Sequence, residues 1–305
     1  MDAPFVFYIT LQFESKNIND NKKDMKRILY LIVAFAMLSM AVSCGNDDEP
    51  RRGDGVFTVN TPMINHMYNT LTGEVLGLSK TYNKLVIDTI KHQATLEFTY
   101  NDGTEKTIKL DDLKATPKRL RFYELTSASN GNFSGYVDFN ESSMRYRITT
   151  ADGIRIISTT PEVFFLKTKN TIEYDDTTKT TVMENTMYQF TVDPTTMKAL
   201  VEVMAILHAK DLKFFVNITG NSVPVTLTPN GYTVAGQNIS TIATYRAHRD
   251  TTGVTPNYMT TDKYPFKTFN AMVDLVNDTI SATFMMGGSA TVTATGRTYP
   301  NYYTY

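Results

Sequence analysis

Chemistry in a chain begins with side chains that can hold a proton, a metal or a new bond, and here they are thinly spread. The four histidines, His66, His92, His208 and His248, lack the i, i+4 spacing that sets two imidazoles on one helix face for zinc. Cys44 is the one cysteine, so an internal disulfide and a thiolate-rich zinc site both lack the sulfurs they need. Gly131-Asn132-Phe133-Ser134-Gly135 carries its serine one position too late for a nucleophile elbow and reads as a turn. Asp111-Asp112 and Asp175-Asp176 are adjacent carboxylates; neighbours on a strand point to opposite faces, which suits turns better than the paired acids of a glycosidase. A phosphate-binding loop and a dinucleotide glycine fingerprint are both missing. This reading gives no catalytic residue, no cofactor and no metal.

The elements around these residues must come from a chain of 305 residues, 42% hydrophobic, enough for one large domain or two ordinary ones. Net charge is −1, and beyond residue 43 it is 25 Lys/Arg against 27 Asp/Glu. That balance lacks the concentrated basic surface that neutralises phosphates, so nucleic acid is excluded as a partner.

The lone cysteine follows a recognisable segment. Lys22, Lys23, Lys26 and Arg27 form a positive region, and Ile28 to Val42 is a largely apolar run closing on Ala41-Val42-Ser43-Cys44. The run is too short for a permanent span, which needs roughly 20 apolar residues, and fits a cleaved signal peptide. Small residues directly before a cysteine resemble the bacterial lipobox, with Ala41 where leucine is usual. The resemblance implies lipidation of Cys44 and a membrane partner held through that lipid. Residues 25–43 are then the signal peptide and 1–24 an untranslated or disordered extension, since Met25-Lys26-Arg27 reads as the start. Residues 44–55 form a flexible tether whose Asp47-Asp48-Glu49 is similar to the surface-export signal of Bacteroidetes lipoproteins.

The body reads as mainly β. Leu96, Phe98 and Tyr100 alternate with polar neighbours before an Asp102-Gly103 turn, and Met144, Tyr146 and Ile148 alternate with Arg145 and Arg147. Two stretches read as helices opened by proline: Pro62 with Met63, Met67 and Leu71, and Pro194 with Met197, Leu200, Val201, Met204 and Leu207. Three blocks recur in order. Phe57–Asn60 lies over Phe190–Asp193, Leu85–Asn101 over Phe214–Asn230, and Phe133–Ile156 over Phe269–Val292. The expectation is two tandem related units, 56–184 and 185–300, each an antiparallel sandwich or partly closed barrel with one helix. Thr171 to Thr186 is the expected joint, and 301–305 a tyrosine-rich tail.

Signal, tether and β-rich body together resemble cell-envelope lipoproteins of the Bacteroidetes, some with calycin-like barrels. The resemblance implies a non-enzymatic ligand- or partner-binding protein on the outer membrane, using the surface between the two units. A glycan-binding accessory to polysaccharide uptake is the alternative, with Tyr299, Tyr302 and Tyr303 as stacking residues. A hydrolase whose carboxylates meet only in the fold is the third reading. Thr89, Thr177, Thr251 and Thr279 each follow an aspartate in a pattern similar to the O-glycosylation sequon of exported proteins in that phylum.

Overall fold

A computed structural model describes residues 55–297, apart from positions 101, 120, 175–179, 207–213, 248–256, 262–263 and 288–289. Among the described residues every regular element is a strand. The first lobe contains β1 (Val56–Asn69), β2 (Glu74–Asp88), β3 (Gln93–Thr99), β4 (Glu105–Leu110), β5 (Lys114–Arg119), β6 (Phe122–Ser127), β7 (Phe133–Asp138), β8 (Ser143–Thr149) and β9 (Ile154–Thr159). They form one antiparallel sheet in the order β4-β3-β2-β1-β9-β8-β7-β6-β5, curled into a half-barrel. The second lobe contains β10 (Glu162–Tyr174), β11 (Thr180–Asp193), β12 (Lys198–Ile206), β13 (Phe214–Thr228), β14 (Gly231–Ile239), β15 (Thr241–Ala247), β16 (Asn257–Thr261), β17 (Phe266–Asp274), β18 (Thr279–Met286) and β19 (Ala290–Arg297). Pairing of β12 with β13 closes eight of them into a barrel, and β15 and β16 extend the sheet beyond β13.

The all-β character follows from the alternation. Along β8 the side chains Met144, Tyr146 and Ile148 are buried in the first lobe's core, and Arg145 and Arg147 take the other face. The free edges of the first sheet are β4 and β5, and they carry Lys106, Lys109, Lys114, Pro117 and Lys118. Charge and a missing amide there discourage pairing with another chain.

Both expected helices are strands. In β1, Met63, Asn65 and Met67 face the first lobe's interior, and Ile64 and His66 are buried on the opposite side, His66 against Thr228 of the second lobe. Burial on both faces removes the alternation that would mark a strand, and the apolar residues left over mimic a helical stripe. In β12 Ala199, Val201 and Val203 are buried with period two and Ile206 is buried beyond a register shift, with Leu200 and Met204 only half-buried outside. Pro194 belongs to the loop before it, where its fixed φ suits the second position of a turn.

The two lobes are related, in a register different from two of the three sequence blocks. Phe133–Ile156 and Phe269–Val292 do correspond, as the consecutive hairpins β7-β8-β9 and β17-β18-β19. The other two blocks fail: Leu85–Asn101 spans a hairpin, whereas Phe214–Asn230 covers a single long strand and its turn. The N-terminal equivalence is instead β1-β2-β3 with β10-β11-β12, and it is pinned by turns. Asp88, Asp138, Asp193 and Asp274 each open a four-residue loop closed by Gln93, Ser143, Lys198 and Thr279. Each aspartate accepts backbone N–H groups from inside its loop. The last loop residue is left-handed each time: His92, Ser142, Met197 and Asp278, with φ of 56°, 49°, 51° and 59°. The chain passes from the first sheet to the second between Thr159 and Glu162. The boundary expected at 184/185, and the joint at Thr171 to Thr186, therefore fall within the paired strands β10 and β11 and on positions 175–179 between them, which lie outside the described residues.

Each lobe keeps one polar node in its core. In the first, the Asn83 amide nitrogen lies 2.8 Å from Asn65 Oδ1, 2.7 Å from the Tyr146 hydroxyl and 2.8 Å from Ser158 Oγ. In the second, the Tyr188 hydroxyl donates to Asn170 Oδ1 at 2.6 Å. Asn65 and Asn170, and Asn83 and Tyr188, occupy equivalent places when Asp88 is set on Asp193. Burial lifts the Tyr146 and Tyr188 phenols far above their ordinary range, so both stay protonated donors.

Candidate functional site

The residues with the most chemistry gather where the outer face of the first sheet meets two turns of the barrel. Strand pairing sets them side by side: Tyr136 opposite Arg145, Ser134 opposite Arg147, Arg147 opposite Ile157, Ile157 opposite His66, and Arg155 opposite Tyr68. All point away from the first lobe's own core. Ile157 is counted among the barrel's core residues, and Leu78 packs against the same core from β2, so a small apolar peg enters the barrel mouth.

Around that peg, cations and an imidazole cap main-chain carbonyls of the second lobe. Arg145 Nη2 donates to Leu275 O at 3.2 Å and Arg147 Nη1 to Val276 O at 2.9 Å, both in the β17–β18 turn. Arg155 Nη2 donates to Pro229 O at 2.6 Å and Asn230 Oδ1 at 3.1 Å, and its guanidinium lies 4.8 Å from the Tyr68 ring centroid. His66 Nε2 donates to Thr228 O at 2.8 Å. Turn carbonyls left over from strand pairing need donors when buried, and arginine supplies several in a fixed fork.

Arg145 also forms an ion pair with Asp278 across the seam. Burial pulls the arginine's pKa down, and burial pushes the Asp278 carboxyl above its ordinary value even though Arg145 opposes it. Both shifts have the same meaning. Desolvation outweighs the attraction, so the pair fixes geometry more than it stabilises.

Beside the pair lies a cleft of about 230 Å³. Its walls include Glu124 and Thr126 of β6, Ser134 and Tyr136 of β7, Arg145 and Arg147 of β8, and Asp278 of the barrel turn. Lys118 Nζ holds Glu124 at 2.5 Å. Phe122 stacks on Tyr136, with centroids 6.2 Å apart and planes 14° from parallel. Burial, then the Glu124 charge, raises the Tyr136 phenol's pKa, keeping it a neutral O–H donor.

Sequence reasoning placed the candidate residues elsewhere. Cys44, Thr177, Thr251, Tyr299, Tyr302 and Tyr303, with His208 and His248, lie outside the described residues. The Thr89 hydroxyl accepts from Gly55 N at 2.9 Å and fastens the start of β1. Thr279 is half-buried at the first position of β18, next to Asp278. His92 is exposed in a turn. Of the residues singled out in sequence for other reasons, Ser134, Arg145 and Arg147 do reach the cleft. Two arginines two apart on one strand were a visible sign of a shared face, but nothing local names the partner of Arg145, which lies 133 residues away. Among the described residues no group of three or more His, Cys, Asp or Glu is placed to hold a metal ion.

No protein-family model matches the chain, and no curated protein does. Among solved structures it is similar to the isotype 1 transferrin binding protein B (TbpB) from serogroup B Neisseria meningitidis, at 9% identity over 83% of this chain and 79% of that one, with a TM-score of 0.21. At that score the likeness adds nothing to the reading of the cleft.

Proposed function

We propose that the chain is the precursor of an outer-membrane lipoprotein, anchored through Cys44, whose two-lobed body is a non-enzymatic binding module working at the cleft between its lobes. The observation that carries the binding role is the cleft itself: a concave wall of mixed polar and apolar character built from two lobes, lined by Tyr136, Arg147 and two carboxylates. Concave sites with a few converging polar groups, placed between domains, are where proteins take ligands. A hydrolase is the weaker reading, because Glu124 and Asp278 are each held by a cation. A general acid needs a carboxyl released to give a proton.

The chain contains no tryptophan, which makes the test direct. Tyr136→Trp places the molecule's one indole in the cleft wall. The full chain in detergent is titrated with polysaccharide, peptide and small-molecule fractions of a bacterial envelope extract. A saturable change in emission with one fraction is expected; binding that leaves the indole unmoved would put the site elsewhere and overturn this reading.

A further inference from the structure

The chemistry of the cleft wall narrows what can enter. An apolar ligand would strip water from Arg147, Glu124 and Asp278 without replacing their hydrogen bonds, which costs free energy. A simple anion would meet two carboxylates, and a simple cation would meet Arg145 and Arg147. An extended peptide finds no edge to join, because β6, β7 and β8 each pair on both sides and their backbone groups are spent. What fits is a molecule whose every polar group both donates and accepts, with an apolar face for an aromatic ring. The volume, about 230 Å³, is below the roughly 300–1,000 Å³ of drug-sized sites and suits a single ring with its substituents.

We propose that the cleft holds one pyranose ring of a carbohydrate. This rests on the cleft-binding reading and names its ligand class. Glu124 and Asp278 accept from sugar hydroxyls, Arg147 and the hydroxyls of Thr126, Ser134 and Tyr136 donate to them, and the Tyr136 ring, backed by Phe122, offers a surface for the C–H face. The carboxylates remain paired with their cations and act only as fixed acceptors.

The test is a glycan array probed with the full chain in detergent, followed by calorimetric titration of the best responder into the parent chain and each variant. Tyr136→Ala and Thr126→Val are expected to weaken that glycan at least about tenfold, roughly the loss of one good contact. Tyr82→Ala, an exposed tyrosine of β2 outside the cleft, should leave affinity unchanged. A melting curve for each variant separates lost binding from lost fold. Silence across the array, or a bound glycan insensitive to Tyr136→Ala and Thr126→Val, overturns the carbohydrate inference. If a peptide or protein fraction moves the indole while no sugar does, the inference fails and the cleft reading stands; if nothing moves it, both fail.

Discussion

Arg145 is bonded across the seam to Asp278, and Asp278 is also the left-handed residue, φ 59°, that returns the chain from β17 to β18. One side chain thus carries both a turn and an inter-lobe contact, and the two roles separate by mutation. Asparagine tolerates the left-handed region, so Asp278→Asn keeps the turn and removes the charge. It takes the Asp278 charge away from Arg145, whose side chain is 20% exposed. We expect a loss of about 2 kcal/mol, less than for a fully buried pair because the Asp278 side chain is 38% exposed. Adding Arg145→Met should restore most of it in a double-mutant cycle followed by urea unfolding. Additive losses would show that the two residues do not act as a pair.

His66 is expected to make the protein acid-sensitive. Its ring is fully buried, Nε2 donates to Thr228 O, and Nδ1 has no hydrogen-bond partner among the described residues. Burial first, and then the nearby Arg155 charge, lower its pKa below the usual 6.5. The unfolded chain therefore binds a proton that the folded chain refuses, and stability falls as pH drops below about 6.5 toward the folded value. In His66→Gln the amide can still donate to Thr228 and cannot titrate. Its melting temperature between pH 7.5 and 5.5 should decline less than that of the parent; equal slopes would remove His66 as the cause.

Gly231 sits where the barrel turn comes closest to its neighbour. A Cβ there would lie 2.2 Å from Val273 O, and the turn just before it supplies the carbonyls held by His66 and Arg155. Gly231→Ala should cost about 2 kcal/mol or more in denaturant unfolding. Gly103, φ 85°, is the control. No atom lies within 4 Å of its added Cβ, so Gly103→Ala should show only the strain of its backbone, about 1 kcal/mol. A Gly231 effect no larger than that would mean the turn can move aside.

The proposed anchor is tested by the thiol. Labelling cells with an alkyne palmitate should mark the full chain, and Cys44→Ala should abolish the mark and move the protein from the membrane fraction to the soluble one. A Cys44→Ala chain that stays with membranes would show that something other than lipid on Cys44 holds it there.

The sequence shows the β character through pairs such as Tyr146 and Arg145, because period two survives wherever one face of a strand is polar. It misleads at Met63–Met67, where two lobes bury both faces of β1 and the alternation disappears. The duplication is legible from β7 through the start of β19. It is misaligned in the first half because the true anchors are aspartates opening four-residue loops, and Asp88 and Asp193 carry little weight in an alignment of apolar residues. The cleft was half visible. Arg145 and Arg147 announce a shared face, but Asp278, Leu275 and Val276 become their partners only through the docking of one lobe on the other.

Most of what the barrel contributes to that docking is main-chain oxygen: Thr228 O, Pro229 O, Leu275 O and Val276 O. Every amino acid carries that atom, so the names of these four residues matter less than the path of the chain through them. At these four positions the barrel rim is thus free to drift in sequence so long as its turns keep their lengths, and the burden of inheritance falls on His66, Arg145, Arg147 and Arg155, with Asp278 and Gly231 on the rim itself. Related chains would be recognised across the seam by three arginines and a histidine facing turns of conserved length and unlike composition.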